Sequence, residues 1–256
     1  MVRVSVKGGA VSQGHGRVAL VSRGSRGIGA ATVSRLAADG WDISFCYDGG
    51  DLSALEVEKA ASELGARVLA VRADPADAAE AAAWVARAED ELGPAEALVT
   101  CAGMTRDRPL ALLEEADWRA VIDTRLDGVF HPVRVTLTGM MRRRSGRIVL
   151  VSSVSGVYAH GTDGYPAARG GIAGFARTLA SQTARYGIRA NALTPGTAHA
   201  DLTAIVPEGT PLTETIVLRR FGSGAEVADR VAFLLSDEAA GLTGRVLEVH
   251  GGIALS

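Results

Sequence analysis

Lysine is nearly absent from this chain: only Lys7 and Lys59 occur, against 25 arginines. An arginine at a given position is therefore weak evidence by itself, because the chain uses arginine wherever a generic cation would serve. Cysteine is also scarce, and Cys46 and Cys101 each end an apolar run without metal-ligand spacing. That usage predicts reduced, buried thiols in a cytoplasmic protein.

The chain also lacks a large excess of either charge and lacks long apolar runs. The net charge of −2 argues against a nucleic-acid binder, and no apolar run reaches the roughly 20 residues of a membrane span. The Gly-rich start, residues 1–16, lacks the apolar region of a signal peptide and is predicted to be a flexible extension. The histidines show no ligand spacing, so no metal site is predicted; they are His15, His131, His160, His199 and His250.

Strand-like and helix-like segments alternate along the remaining chain. With 256 residues, 47% of them hydrophobic, the length suits one domain, predicted over residues 17–256. Apolar runs predict seven strands, at 17–22, 41–47, 66–72, 96–102, 146–153, 188–194 and 245–251. Helical periodicity falls between them, at 29–40, 52–65, 76–93, 116–144, 166–187 and 225–236. We therefore expect an α/β fold, a single doubly wound, Rossmann-type parallel sheet with helices on both faces.

The first predicted strand is followed by a glycine turn, SRGSRGIGAA (22–31). Gly24, Gly27 and Gly29 let the backbone approach a pyrophosphate, which would then lie at the positive end of the next helix. Because the turn joins a strand to a helix, a nucleotide site is favoured over a plain tight turn.

Two charged residues give conflicting signals about which nucleotide binds. Arg26 inside the turn can pair with the 2′-phosphate of NADP, whereas a carboxylate at Asp48, after the second strand, usually favours the bare ribose of NAD. If that strand ends at Tyr47, Asp48 can point elsewhere, and we favour NADP(H). Asp74, after the third strand, is placed to accept from the adenine amino group, or to cap a helix starting at Pro75.

The segment YPAARGGIAGF (165–175) places Tyr165 and Arg169 four residues apart. On a helix both side chains share one face. A cation about 4 Å from a phenol lowers its pKa by roughly one to three units, which makes the phenol a proton donor. An ordinary surface pair would have the same spacing.

Together these motifs resemble the short-chain dehydrogenase/reductase family, and among its members the 3-oxoacyl-[acyl-carrier-protein] reductases. The resemblance covers about residues 17–256. It rests on the glycine turn, Asp74, CAG (101–103), SSVSG (152–156), Tyr165-x-x-x-Arg169, the Pro-Gly pair at 195–196, and the segment 219–252.

The resemblance implies hydride transfer from a nicotinamide to a carbonyl, in fatty-acid or polyketide synthesis. Tyr165 would donate the proton, Ser153 would hold the carbonyl oxygen with Ser152 as a weaker candidate, and Arg169 would grip the nicotinamide ribose. The residues implied in cofactor binding are Ser22, Gly24, Ser25, Arg26, Gly27, Ile28, Gly29, Asp74, Cys101, Ala102, Gly103, Tyr165, Arg169, Pro195 and Gly196.

The chain departs from the family pattern at five positions of the expected cleft. Arg23 replaces the first loop glycine, Cys101 and Arg125 replace asparagines, Arg169 replaces lysine and Ala200 replaces threonine. Arginine supplies the same charge as lysine but cannot release a proton, so a proton relay through residue 169 would be weakened. Arg125 either enters the active site, as a candidate catalytic residue beside Arg169, or turns outward.

Two functions therefore remain open. One is an NADPH-dependent ketoreductase acting on a 3-oxoacyl or polyketide-type thioester, small or carrier-bound. The other is a non-catalytic structural or regulatory subunit of the same fold that pairs with an active reductase. The five altered positions motivate it, because Arg23 could block the pyrophosphate turn and Arg125 could fill the cleft.

The resemblance also suggests partners. Arg142, Arg143 and Arg144 are either a solvated helix end or a docking patch for an acidic acyl carrier protein. The helices at 116–144 and 166–187 are expected to pair in a homodimer or homotetramer. His160 is a minor candidate for substrate contact, and residues 200–222 are expected to form a lid over the substrate.

Overall fold

The computed structural model describes residues 16–101, 112–153, 165–196, 198–199, 214 and 216–252; for Tyr165, Pro166, Arg169, Ala198 and His199 it describes the backbone alone. The predicted extension lies outside these ranges except for Gly16. So do the lid segment up to residue 213, His160, Ala200, Ala102 and Gly103. Along the described chain, no helix is both long and apolar enough to span a bilayer.

Seven parallel strands form one sheet in the order β3-β2-β1-β4-β5-β6-β9. They are β1 (Val18–Val21), β2 (Asp42–Tyr47), β3 (Val68–Arg72), β4 (Ala95–Cys101), β5 (Gly146–Val151), β6 (Ile188–Pro195) and β9 (Val246–Val249). The predicted seven-stranded parallel sheet is thus confirmed. A small pair that the sequence pattern missed, β7 (Ala198–His199) and β8 (Gly222–Ser223), lies outside it.

Seven α-helices occur in the described chain: α1 (Gly27–Ala38), α2 (Asp51–Glu63), α3 (Ala78–Leu92), α4 (Glu115–Ile122), α5 (Gly128–Arg143), α6 (Tyr165–Thr183) and α7 (Gly224–Leu235). The single helix expected at 116–144 is α4 and α5 joined by a π-helical turn, Asp123–Asp127. Apolar spacing does not distinguish a π turn inside an α-helix, so the sequence could not reveal it.

Helices cover both faces of the sheet. Trp84 of α3, Val133 of α5 and Ile172 of α6 pack with Leu20 of β1 in one cluster. Val33 of α1 and Val231 of α7 pack with Val21 in the other. Neighbouring side chains of β1 therefore serve opposite layers, which is why this strand is apolar throughout.

Several helix ends are fixed by particular side chains. The Asp77 carboxylate accepts from the backbone N–H groups of Ala79 and Glu80 at the start of α3. The expected cap at Asp74, on a helix beginning at Pro75, is therefore wrong: Asp74 accepts from Ala76 in the turn before α3. Ser223 and Glu226 form a reciprocal capping box at the start of α7.

Candidate active site

The strand order reverses between β1 and β4, where connections leave the sheet in opposite directions. A crevice for ligands forms there, beyond the carboxyl ends of the strands. The Ser22 hydroxyl accepts from the backbone N–H of Cys101 at 2.9 Å, which joins the two strand ends across the reversal. The sequence-predicted residues Ser22 and Cys101 thus meet at this crevice.

The glycine turn is closed too tightly for side chains. A Cβ atom on Gly29 would lie 2.1 Å from the Arg23 carbonyl oxygen, and one on Gly24 would lie 2.4 Å from Cβ of Phe45. Gly27 has a φ of 54°, which favours glycine. Helix α1 begins at this residue, and no side chain caps it. Its first N–H groups are consequently available to an anion, so the turn fits a dinucleotide pyrophosphate.

Arg26 precedes α1 in an extended conformation and is exposed. Its Cζ atom would lie 3.9 Å from a Cβ on Gly50, the residue before α2. The guanidinium therefore lies beside the loop that follows β2, where the ribose of an adenine nucleotide is expected. Ser25, one residue earlier, is buried, and Ile28 packs partly against the core.

Asp48 directly follows β2, which ends at Tyr47, and its carboxylate faces Arg23. Arg23 Nη1 donates to Asp48 Oδ2 at 2.6 Å, and Arg23 Nη2 lies 3.7 Å from Asp74 Oδ1. The sequence pattern alone does not predict this bridge. The available signal is an arginine in place of a loop glycine, together with aspartates that follow the next two strands.

Arg23 adopts a φ of 53°, a left-handed conformation that costs a non-glycine residue about 1–2 kcal/mol. The two carboxylates offset that cost. The Arg23 Nε atom is buried and has no hydrogen-bond partner among the residues that the structure describes.

Arg125 lies in the middle of the π-helical turn and is 1% exposed. The alternative that it turns outward is therefore wrong. Helix α6 passes close to this turn, since a Cβ on Gly171 would lie 3.1 Å from Cδ2 of Leu126. The π turn thus directs a guanidinium into the protein beside the helix that carries Tyr165 and Arg169.

Ser153 and the start of α6 share the same edge of the sheet. Ser153 follows β5 by two residues, and α6 runs back from Tyr165 toward β6. Because α6 connects parallel strands, its first turns, with Tyr165 and Arg169, lie at the carboxyl ends of the strands. Ser152 is 3% exposed and its N–H donates to the Leu193 carbonyl, whereas Ser153 is only half-buried. The more accessible serine is therefore Ser153, the one that the sequence favoured.

Other predicted cofactor residues complete this edge. Pro195 ends β6, and Gly196 donates to the Val249 carbonyl at 3.0 Å. Burial raises the pKa of both thiols, Cys46 and Cys101, to about 12, so neither is a nucleophile near neutral pH. The prediction that both cysteines are buried is confirmed.

The three arginines at 142–144 lie at the other edge of the sheet, immediately before β5 begins. Arg143 Nη2 donates to the Ala95 carbonyl at 2.5 Å, and Arg144 Nη2 donates to the Arg185 carbonyl at 2.8 Å. Two of the three guanidinium groups thus stabilise the fold. A carrier protein bound there would present its acyl group at the edge opposite the glycine turn.

Comparison with known proteins gives a consistent result. A family profile described as enoyl-(acyl carrier protein) reductase matches residues 23–254. A 3-oxoacyl-[acyl-carrier-protein] reductase of Staphylococcus aureus is 36% identical over 238 residues, 92% of this chain and 97% of the relative. An acetoacetyl-CoA reductase of Synechocystis sp. is 38% identical over 242 residues, 92% of this chain and 95% of the relative.

A solved structure agrees with these relatives. A mutant short-chain dehydrogenase/reductase from Serratia marcescens superposes with a TM-score of 0.87 at 28% sequence identity. The match covers 93% of this chain and 98% of that protein.

Proposed function

Because this chain belongs to the short-chain dehydrogenase/reductase family and is similar to its 3-oxoacyl-[acyl-carrier-protein] reductases, we propose that it is an NADPH-dependent ketoreductase acting on 3-oxoacyl thioesters. One observation carries the proposal. The glycine turn, Ser153 and the first turns of α6 all lie at the carboxyl ends of the strands, the edge of the sheet that also holds the crevice between β1 and β4.

Within this proposal a bound nicotinamide supplies the hydride, and the residues of the chain position and protonate the ketone. Ser153 donates a hydrogen bond to the carbonyl oxygen, and Tyr165 donates the proton that converts this oxygen to a hydroxyl group. Arg169 holds a permanent positive charge one helical turn from Tyr165, which favours the phenolate left behind. Arg125, which is 1% exposed, adds a further positive charge that stabilises negative charge developing on the substrate.

A ketone is favoured over an enoyl substrate by the named relatives. The matching profile is described as an enoyl reductase, but the Staphylococcus and Synechocystis proteins are named for 3-oxoacyl and acetoacetyl groups. The Tyr165-x-x-x-Arg169 motif, in which arginine replaces the lysine of the family pattern, supports the same choice.

NADP(H) is the proposed cofactor because of Arg26, whose guanidinium lies beside the loop after β2. The residues proposed to bind it are those predicted from the sequence. The proposed substrates are acyl groups attached to coenzyme A or to a carrier protein. We do not propose that a carrier protein docks at the arginines 142–144, because they lie at the edge of the sheet opposite the glycine turn. We place the protein in the cytoplasm.

A homodimer or homotetramer is proposed on the basis of an apolar face shared by α5 and α6. Phe130 is 41% exposed, and its ring centroid lies 6.3 Å from that of Phe175. An aromatic pair at a surface is typical of an interface. A monomer in sedimentation velocity at micromolar concentration would contradict it.

The catalytic role of Tyr165 can be tested by NADPH oxidation with acetoacetyl-CoA, followed at 340 nm. We expect Tyr165→Phe to lower kcat by at least about 100-fold, because it removes the proton donor and little else. Tyr186→Phe is the matched control, since Tyr186 lies in the turn after α6, beside Arg144 and Arg185. Equal activity of Tyr165→Phe and the wild type would exclude the proposed chemistry.

The alternative is a non-catalytic partner of an active reductase, and Arg23 is the observation that favours it. Its bridge to Asp48 and Asp74 occupies the strand ends where an adenosine is expected. Titration with NADPH by fluorescence distinguishes the two functions. A catalytic chain binds at micromolar concentrations, and absence of binding up to millimolar NADPH would favour the partner.

A further inference from the structure

The side chain of Arg23 links two strand ends that the chain brings together only on folding. Asp48 follows β2 and Asp74 follows β3, and the guanidinium contacts both carboxylates. The Arg23 side chain is 17% exposed, whereas those of Asp48 and Asp74 are 35% and 47% exposed. Arg23 is thus the least exposed of the three charged side chains, and the two carboxylates face the solvent.

The position of Arg23 in the backbone is fixed from both sides. The backbone N–H of the preceding residue, Ser22, donates to the Val99 carbonyl, and the backbone N–H of the following residue, Gly24, donates to the Cys46 carbonyl at 3.0 Å. Its own carbonyl is held against Gly29, where no Cβ would fit. The backbone that carries the guanidinium is therefore held in place, which favours a persistent ion pair over a chance surface contact.

This arrangement changes what Asp48 can do. An unpaired carboxylate after the second strand accepts from ribose hydroxyls and repels a phosphate on the same ribose. At 2.6 Å from Arg23, the Asp48 carboxylate is compensated, and Arg26 adds a second guanidinium near Gly50. Arg23 and Arg26 thus offset the charges of Asp48 and Asp74 before any ligand binds. Asp51, at the start of α2, lies 3.9 Å from Arg72, and Glu80 accepts from the backbone N–H of Asp74.

We propose that Arg23 is a specificity-determining residue that converts an NAD-type carboxylate site into one selective for 2′-phosphorylated adenosine. It does so by neutralising Asp48 and by adding a second cation to Arg26 for the phosphate. The inference rests on the proposed function only in assuming that an adenine dinucleotide binds at the glycine turn. It goes beyond it in assigning selectivity to a residue that the family pattern has as glycine.

The test uses 2′,5′-ADP and 5′-ADP as probes, with binding measured by isothermal titration calorimetry on the full chain. These probes lack the nicotinamide, so the result does not depend on turnover. We expect the wild type to bind 2′,5′-ADP more tightly, and Arg23→Gly to reduce that preference by at least about tenfold. Glycine suits the left-handed φ, so this variant should fold at least as well as the wild type.

A second substitution separates the two parts of the proposal. Asp48→Asn, added to Arg23→Gly, removes the exposed carboxylate and should restore part of the affinity for 2′,5′-ADP. Arg144→Gly is the matched control. It also replaces an arginine with a φ near 54°, but at the opposite edge of the sheet, and it should leave the preference unchanged.

Two outcomes would overturn the inference. If Arg23→Gly tightens binding of both probes equally, Arg23 obstructs the nucleotide site and does not discriminate between the two nucleotides. If the ratio of the two affinities stays within about twofold of the wild type, Arg23 does not read the phosphate. If the wild type reduces no ketone but the probes bind with the expected preferences, only the proposed function is contradicted.

Discussion

At the scale of single residues, the central feature is a cation that cannot lose its proton. In the proposed mechanism, arginine at position 169 provides charge one turn from Tyr165 but cannot pass on a proton. The chain has only two lysines in total, so this exchange follows its general preference for arginine. The electrostatic role therefore predicts tolerance of either cation.

We expect Arg169→Lys to retain or raise kcat/KM for acetoacetyl-CoA, because it keeps the charge and adds a transferable proton. Arg169→Met, which has similar length and no charge, should lower it by about 100-fold or more. The measurement is steady-state NADPH oxidation over pH 6–9. If lysine and methionine are equally damaging, the fork geometry of arginine matters and the charge argument fails.

Thr100 of β4 presents a second residue-scale feature, a buried hydroxyl with no hydrogen-bond partner in the described structure. Removing an unsatisfied polar atom relieves a desolvation penalty. Thr100→Val should therefore raise the free energy of unfolding by about 1 kcal/mol, or Tm by about 2–4 °C.

Thr194 is the matched control for this prediction, because it is also buried in a central strand. Its hydroxyl donates to the Leu247 carbonyl at 3.1 Å. Thr194→Val should lower the Tm in the same calorimetric experiment. Destabilisation by both substitutions to the same extent would mean that Thr100 is satisfied after all.

At the scale of elements, most of the fold was predictable because the strands and helices carry their own patterns. β1 is apolar throughout because both faces are covered, and Gly40, Gly65 and Gly93 follow the ends of α1, α2 and α3. The features that were missed depend on contacts distant in sequence. The partners Arg23 and Asp48 are 25 residues apart, and nothing local indicates that they meet.

The candidate site divides in the same way. The glycine turn, Asp74 and Ser153 could be placed from motifs that each follow a strand. The inward direction of Arg125 could not, because it depends on a π turn that shifts the helix register. The two-residue strands β7 and β8 are too short to leave an alternating pattern.

The end of α7 provides an element-scale prediction. Arg189 of β6 donates to three carbonyl groups around that end, those of Leu234, Ser236 and Ala239. Burial, reinforced by the charge of Arg147, lowers the pKa of Arg189, yet its guanidinium stays protonated.

Lysine cannot reach three acceptors in this fork geometry, so Arg189→Lys should cost about 1–3 kcal/mol of unfolding free energy. Urea denaturation followed by circular dichroism measures the change. Arg177→Lys, on the exposed side of α6, is the control and should be neutral. A neutral Arg189→Lys would show that the carbonyl groups are equally well satisfied by water.

At the scale of the whole molecule, two groups of arginines lie at opposite edges of the sheet. Arginines before β5 bond to backbone carbonyls at one edge, whereas Arg23 and Arg26 lie at the other edge, by the glycine turn. The carboxyl edge also carries Ser153 and the start of α6. The proposed reaction therefore requires the ketone substrate and the nicotinamide nucleotide to bind together at that edge.

The most direct test follows the hydrogen itself. The full chain is incubated with acetoacetyl-CoA and NADPH deuterated at C4, using each of the two stereoisomers in turn, and the product is analysed by mass spectrometry. We expect 3-hydroxybutyryl-CoA carrying one deuterium with one of the two labelled cofactors and none with the other. Absence of the hydroxy product with both, under conditions where NADPH is bound, would contradict the proposed reaction.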